Sequence, residues 1–168
     1  MIRFLIVMLI MLGTGASDSQ LEQLAHSGKI EENAPVKASC EIIINAPPEK
    51  VWRLLTDVKN WPKWQPHITQ AEIYGPIQSG TRFTWTSGTT IKSQIALVHP
   101  VEELVWTGTA YNAKAIHLWT LQRLPGEHTL LKTRESMSGF LLSLFFSSRQ
   151  LQETDQDWLT SLKKEVER

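Results

Sequence analysis

The 168-residue sequence lacks several features that would each have pointed to a class of protein. It contains one cysteine, Cys40, so it cannot form an internal disulfide, and we expect this residue to be a small buried side chain. Its 17 lysines and arginines balance 17 aspartates and glutamates. A chain with no net charge has no basic field for phosphates, which argues against nucleic acid as a partner.

The chemical motifs of several enzyme classes are also missing from the sequence. His67, His99 and His128 lie near turns and share no metal-ligand spacing with acidic residues. The glycines between positions 75 and 80 do not form a phosphate loop, and no serine nucleophile elbow is present. We therefore assign no metal and no cofactor.

The sequence has one long apolar run, at its N-terminus. Residues 1–12 contain a single charge, Arg3, and small residues follow at 13–17. This pattern is typical of a secretory signal peptide, and cleavage after Ala16 satisfies the preference for small residues. The run is shorter than the ~20 residues of a spanning helix, so an uncleaved membrane anchor is the alternative. We predict an exported protein, periplasmic or secreted, with residues 1–17 as signal peptide or anchor.

The rest of the chain is predicted to be a linker followed by one domain. Residues 18–37 mix charges with Gly28 and Pro35, which predicts a linker with at most one helical turn, between Leu21 and His26. Residues 38–168 are long enough for one domain with its own core.

The domain begins with a strand that leads directly into helical segments. The β-branched residues at 42–44 predict a buried strand, and Pro47 or Pro48 can occupy the first turn of a helix. A second short helix carries Trp61 and Trp64. Further strands are predicted at 68–74, 81–86, 89–98, 103–110, 113–124 and 129–137.

From Phe140 onward the spacing of apolar residues becomes helical. Leucines, valine and Trp158 recur three, four or seven positions apart, and polar residues that include Asp155 fall between them. The prediction is therefore an α+β domain, in which a seven-stranded curved antiparallel sheet wraps around a long C-terminal helix and two short helices follow strand 1.

Four stretches of the sequence resemble one known superfamily. They are the strand and helix start at 42–55, the segment 57–64 with Trp61 and Trp64, the residues 99–108 with Trp106 and Gly108, and the pair of segments 116–119 and 135–139. Together they resemble the START/polyketide-cyclase superfamily, which has the helix-grip fold of the birch pollen allergen. The resemblance covers residues 38–166 and implies a cavity for an apolar molecule.

A candidate polar pair follows from the last hairpin. If Pro125, Gly126 and a third residue form its turn, His117 stands opposite Glu135 with Cβ atoms ~5 Å apart. Such a pair could orient a hydroxyl or carbonyl group of a ligand, or move a proton. Alternatively, the two side chains satisfy each other and fix the strand register.

Twelve residues are candidates for contact with a ligand, and core packing is the alternative for each tryptophan among them. They are Trp64, Phe83, Trp85, Ser93, Ile95, Trp106, His117, Trp119, Glu135, Met137, Phe145 and Trp158. The apolar segment 140–146 could be a lid, a membrane-docking surface or a buried first helical turn.

The leading functional hypothesis is that a monomer binds an apolar small molecule, such as a lipid, a quinone or a polyketide-like compound, and carries it with transient membrane contact. A cyclase or dehydratase is the second hypothesis, with His117 and Glu135 as acid and base; beyond these candidates no catalytic residue is assigned. The third is a module with a filled core that acts through its surface.

Overall fold

The computed structural model describes residues 16–139 and 142–168. Residues 1–15 of the predicted signal peptide lie outside these ranges, as do Phe140 and Leu141. Seven strands form one antiparallel sheet in the order β1-β7-β6-β5-β4-β3-β2. The strands are β1 Val36–Ile44, β2 Gln70–Ile73, β3 Arg82–Ser87, β4 Thr89–His99, β5 Glu103–Ala110, β6 Ala113–Leu124 and β7 His128–Ser138.

The register of the last hairpin is the predicted one. Leu124 pairs with His128 across the turn, and His117 lies opposite Glu135. Because side chains alternate between the two faces of a strand, this register decides that both residues point toward the same face of the sheet.

Within residues 16–139 and 142–168, five helices accompany the sheet. They are α1 Asp18–His26, α2 Pro48–Thr56, α3 Trp61–Trp64, α4 Leu142–Phe145 and α5 Ser148–Val166, and a short 3-10 turn spans Val58–Asn60. The second helix begins at Pro48, where the missing N–H costs nothing. Trp61 is held at the start of α3 because its indole N–H donates to the carbonyl oxygen of Leu55 at 3.0 Å.

The C-terminal helical region differs from the single helix predicted from Phe140. Ser147 is extended, and its side chain and that of Gln150 cap each other's backbone N–H groups. This capping box begins a new helix, so α4 and α5 are separate. The side chains of α5 pack on the inner face of the sheet, where Leu159 and Leu162 are fully buried. The arrangement is the helix-grip fold.

The segment predicted to be a linker contains α1, which packs on the outer face of the sheet. Leu21 and Ala25 lie in an apolar cluster with Val105, Ile116 and Leu118 of the sheet. Ser17 caps the helix, and β1 begins at Val36. The prediction of a linker over 18–37 overlooked this packing, because the helix covers an apolar patch that lies far away in the sequence. No helix among the described residues is long and apolar enough to cross a membrane.

Much of the space between the sheet and α5 is filled by aromatic rings. Trp61 lies at the centre, with its ring centroid 5.1 Å from that of Trp158, 5.7 Å from Phe83 and 5.9 Å from Trp106. Most of these contacts are edge-to-face, the arrangement that aromatic quadrupoles favour. This aromatic cluster makes one part of the interior solid.

Candidate ligand site

A small cavity of about 80 Å³ lies beside the aromatic cluster, at the end of the β5–β6 hairpin. It is lined by Trp85, Ile91, Gly108, Ala110, Ala113, Ala115, His117, Glu135 and Met137. The cavity exists because small residues face each other across the two strands: Gly108 pairs with Ala115, and Ala110 pairs with Ala113.

Gly108 keeps open the space in front of His117. A Cβ atom at this position would lie 3.2 Å from Cγ2 of Ile91, 3.4 Å from Nε2 of His117 and 3.5 Å from the hydroxyl oxygen of Ser93. These distances are tight but short of a clash, so an added methyl group would occupy the cavity rather than break the strand.

His117 presents one nitrogen to this cavity and uses the other for Glu135. Its Nδ1 lies 2.8 Å from Oε2 of Glu135, and both residues are buried. A carboxylate only accepts hydrogen bonds, so neutral His117 carries its proton on Nδ1 and has an acceptor lone pair on Nε2. The imidazole ring also stacks on Trp106, with ring centroids 5.1 Å apart and planes inclined by 21°.

Asp155 extends this pair into a chain of three groups. It projects from α5, is only 3 % exposed, and its carboxyl group faces that of Glu135, so that a proton on one of the two acids forms a hydrogen bond between them. Burial, followed by the charge of Glu135 and this hydrogen bond, raises the pKa of Asp155 to about 9. Asp155 therefore keeps its proton at neutral pH and donates a hydrogen bond to Glu135, which then accepts hydrogen bonds from two sides. Burial, and then the charge of Asp155, also raises the pKa of the Cys40 thiol.

The position of Asp155 contradicts its assignment to the polar side of the last helix. It lies four residues after Leu151, three before Trp158 and four before Leu159, all of them buried. Its spacing places it on the apolar stripe of the helix, and that spacing is the signal that could have identified it.

The twelve candidate contact residues divide into groups. Trp85, His117, Glu135 and Met137 line the cavity. Ser93 lies next to it and accepts a hydrogen bond of 3.1 Å from the indole N–H of Trp85. The remaining buried candidates are packed in the core, without lining the cavity: Trp64, Phe83, Ile95, Trp106, Trp119 and Trp158. Sequence reasoning missed the glycine and alanines that create the space.

Phe145, the last candidate, lies on an exposed apolar surface. It is 80 % exposed, and Leu144 beside it is 70 % exposed. A buried first helical turn is therefore the wrong interpretation for these two residues. Their neighbours in sequence, Leu142 and Phe146, pack in a cluster with Met137, which lines the cavity. The exposed surface thus belongs to a segment that borders the site.

Gly139 lies between β7 and the segment that contains Leu144 and Phe145, and it packs against the turn of the β5–β6 hairpin. A Cβ atom on Gly139 would lie 2.7 Å from the backbone carbonyl oxygen of Asn112, so the chain after β7 passes directly against the β5–β6 turn. Next to Asn112, Tyr111 is 92 % exposed.

Within the described residues, no group of three or more histidine, cysteine or acidic side chains is arranged to hold a metal ion.

Comparisons with known proteins place the chain in a family. The family described as "Polyketide cyclase / dehydrase and lipid transport" matches residues 35–167, so the chain belongs to it. This confirms the superfamily resemblance seen in the sequence. No curated protein matches the sequence.

Solved structures with this fold come from several bacteria. A hypothetical protein from Helicobacter pylori is 21 % identical, with a TM-score of 0.71 over 80 % of this chain and 90 % of that one. A START superfamily protein from Mycobacterium smegmatis is 17 % identical, with a TM-score of 0.65 over 78 % and 97 %. The Zhui aromatase/cyclase from Streptomyces sp. R1128 is 17 % identical, with a TM-score of 0.64 over 79 % and 93 %. At such identities the similarity establishes the shared fold.

Proposed function

We propose that the protein binds an apolar small molecule that carries a hydroxyl group, such as a lipid or a polyketide-like compound, and that the hydroxyl end enters the cavity. The observation that carries this proposal is the position of Nε2 of His117. This acceptor lies 3.4 Å from where a Cβ atom of Gly108 would be, in a cavity whose other walls are mostly apolar. A ligand hydroxyl would donate to it.

The volume of the cavity limits how much of the ligand it can hold. About 80 Å³ is well below the ~300 to 1,000 Å³ of pockets that enclose a whole drug-sized ligand. The cavity for an apolar molecule that the family resemblance implies is therefore replaced by a site for one end of such a molecule. The rest would leave the cavity and lie against the exposed side chains of Leu144 and Phe145.

The cost of the buried polar chain supports a role in function. A carboxylate, a protonated acid and an imidazole within an apolar core are expensive to desolvate, and apolar residues in such places are often neutral or stabilising. The strand register does not need Asp155, which comes from the helix. A role in ligand recognition would explain why these polar residues are present in the core despite the cost of burying them.

The test compares two ligands that differ in one hydrogen-bond donor. We expect n-octanol to bind more tightly than octyl methyl ether in calorimetric titration, by roughly fivefold, because one hydrogen bond contributes about 1 kcal/mol. The His117→Phe variant should remove the preference. Gly108→Ala should weaken both ligands, whereas Thr109→Ala, on the exposed side of the same strand, serves as the matched control. If neither ligand binds, a module that acts through its surface is the better description.

The hydrogen-bonded group of His117, Glu135 and Asp155 favours catalysis as the second candidate function. Nε2 of His117 could remove a proton from an acidic C–H between two carbonyl groups, and Glu135 would stabilise the imidazolium that forms. We would then expect the protein to accelerate deuterium exchange at the central carbon of a β-diketone, followed by NMR. The Glu135→Gln variant should spare binding of an apolar ligand but abolish the exchange. Unchanged exchange in that variant would exclude this role for the pair.

We also propose that the protein is exported. The support is the segment 1–12, in which Arg3 is followed by an unbroken apolar run, and the small residues that come after it. Recovery of the chain outside the cytoplasm of a bacterial host, without its leader, would support export.

A further inference from the structure

We infer that the leader is cleaved between Gly15 and Ala16, and that the new α-ammonium group of Ala16 forms an ion pair with the buried carboxylate of Glu31. The inference rests on the proposed export. It differs from the cleavage after Ala16 that the sequence alone suggested, and it assigns Glu31 as the binding site of the mature N-terminus.

Glu31 is a buried acid whose carboxylate accepts fewer hydrogen bonds from the described residues than it could. It is 6 % exposed, and among the residues that the structure describes its Oε2 atom has no hydrogen-bond partner. Its Oε1 atom accepts one hydrogen bond, from the backbone N–H of Ala16 at 3.1 Å. The nearby cations Lys37 and Arg134 both contact the neighbouring acid, Glu32. A buried carboxylate with one neutral donor is costly, because desolvation is not offset by an opposite charge.

Cleavage before Ala16 would give Glu31 an oppositely charged partner with additional hydrogen-bond donors. The nitrogen that now provides one amide N–H would become an ammonium group with a positive charge and three donors. It would already be within hydrogen-bond distance of Oε1, so little rearrangement is needed to reach Oε2 as well. The sequence permits this cut, since Gly13 and Gly15 are both small residues at the positions that a signal peptidase reads.

Cleavage one residue later would conflict with the start of α1. Ser17 is the N-cap of this helix: its backbone N–H donates to Oε1 of Gln20 at 2.8 Å, and its hydroxyl accepts from the backbone N–H of Gln20. An ammonium group on Ser17 would place a positive charge at the positive end of the helix dipole. The same cut would also remove the backbone N–H of Ala16, which is the donor that the described part of the chain supplies to the carboxylate of Glu31.

The N-terminal residue of the exported protein tests the inference. The full-length gene product is expressed in a bacterial host with a secretion pathway, and the exported protein is analysed by intact mass and N-terminal sequencing. A chain that begins at Ala16 is the expected result. A chain that begins at Ser17 would overturn the inference while leaving export intact, and a chain that retains Met1 would overturn both.

The ion pair itself is tested by changing the position of the charge. Two chains are released from a cleavable fusion, one beginning at Ala16 and one beginning at Gly15. We expect the longer chain to have a roughly tenfold larger unfolding constant in denaturant titrations, the typical loss for a hydrogen bond to a charged group. Glu31→Gln should remove this difference, whereas Glu32→Gln, a matched change on the exposed neighbour, should preserve it. Equal unfolding constants for the two parent chains would overturn the ion pair.

Discussion

Replacing Asp155 by asparagine should make the protein more stable at neutral pH. The asparagine side chain has nearly the same shape and can still donate a hydrogen bond to Glu135, but it never ionises. Asp155, in contrast, keeps a proton in the folded protein, because its pKa rises from 3.8 to about 9. The two side chains should therefore differ chiefly in how their contribution to stability depends on pH.

The size of the effect follows from the linkage between protons and unfolding. Between about pH 4 and pH 9 the folded protein holds a proton on Asp155 that the unfolded chain has released. Unfolding therefore loses a proton, and the free energy of unfolding of the wild type falls by about 1.4 kcal/mol for each unit of rising pH. This stability is fully present below pH 3.8 and is lost as the pH approaches 9. From pH 5 to pH 8 the loss amounts to about 4 kcal/mol.

Denaturant unfolding of the wild type and of Asp155→Asn at pH 5, 6, 7 and 8 measures this difference. The free energy of unfolding of the variant, relative to that of the wild type, should increase by about 1.4 kcal/mol for each unit of rising pH. Asp157→Asn is the matched control, since its side chain lies on the same helix and is 63 % exposed. A stability difference that does not change with pH would show that Asp155 is already ionised in the folded protein, and the proposed chain of protons would be wrong.

Three further predictions concern the rest of the fold and the rim of the site. Trp61→Ala should lower the free energy of unfolding by about 3 to 5 kcal/mol in denaturant titrations, because the ring lies at the centre of the aromatic cluster. Leu21→Ala should cost about 2 to 3 kcal/mol in the same assay, whereas a true linker would give no change. Replacing exposed Leu144 and Phe145 together by serine should leave stability within about 0.5 kcal/mol yet weaken the binding of n-octanol in calorimetry; unchanged affinity would exclude this surface from the site.

The parts of the fold that the sequence predicts well depend on local rules. The pairing of β6 with β7 was correct because Pro125 and Gly126 determine the turn, and a strand then alternates its side chains strictly. Helix α1 is different. It has few apolar residues, and a short helix of this kind is stable only when another surface covers it. That surface, which includes Val105 and Ile116, comes from strands far away in the sequence.

The same distinction applies to the candidate site. His117 and Glu135 were paired from the strand register alone, and they do lie 2.8 Å apart. Asp155 was grouped with the polar residues of the last helix. A single acid on the apolar side of a helix is tolerated only when it has a hydrogen-bond partner, and its partner, Glu135, lies on the sheet, where the helix sequence alone could not reveal it. The cavity was also out of reach of sequence reasoning, since its volume depends on how Gly108 and Ala115 face each other once the tryptophans are packed.

The distribution of protons among the three buried groups explains how binding and catalysis can be separated. When His117 is neutral, it and protonated Asp155 both donate hydrogen bonds to Glu135, and the group of three then carries one negative charge, on Glu135. A ligand hydroxyl that donates to Nε2 leaves this charge unchanged, and binding needs nothing more. If Nε2 takes a proton, the imidazolium and the carboxylate cancel, so the interior becomes neutral during the transfer instead of gaining charge. Glu135→Gln removes this compensation without removing the acceptor lone pair, so loss of deuterium exchange with retained octanol binding is the result that distinguishes an enzyme from a carrier.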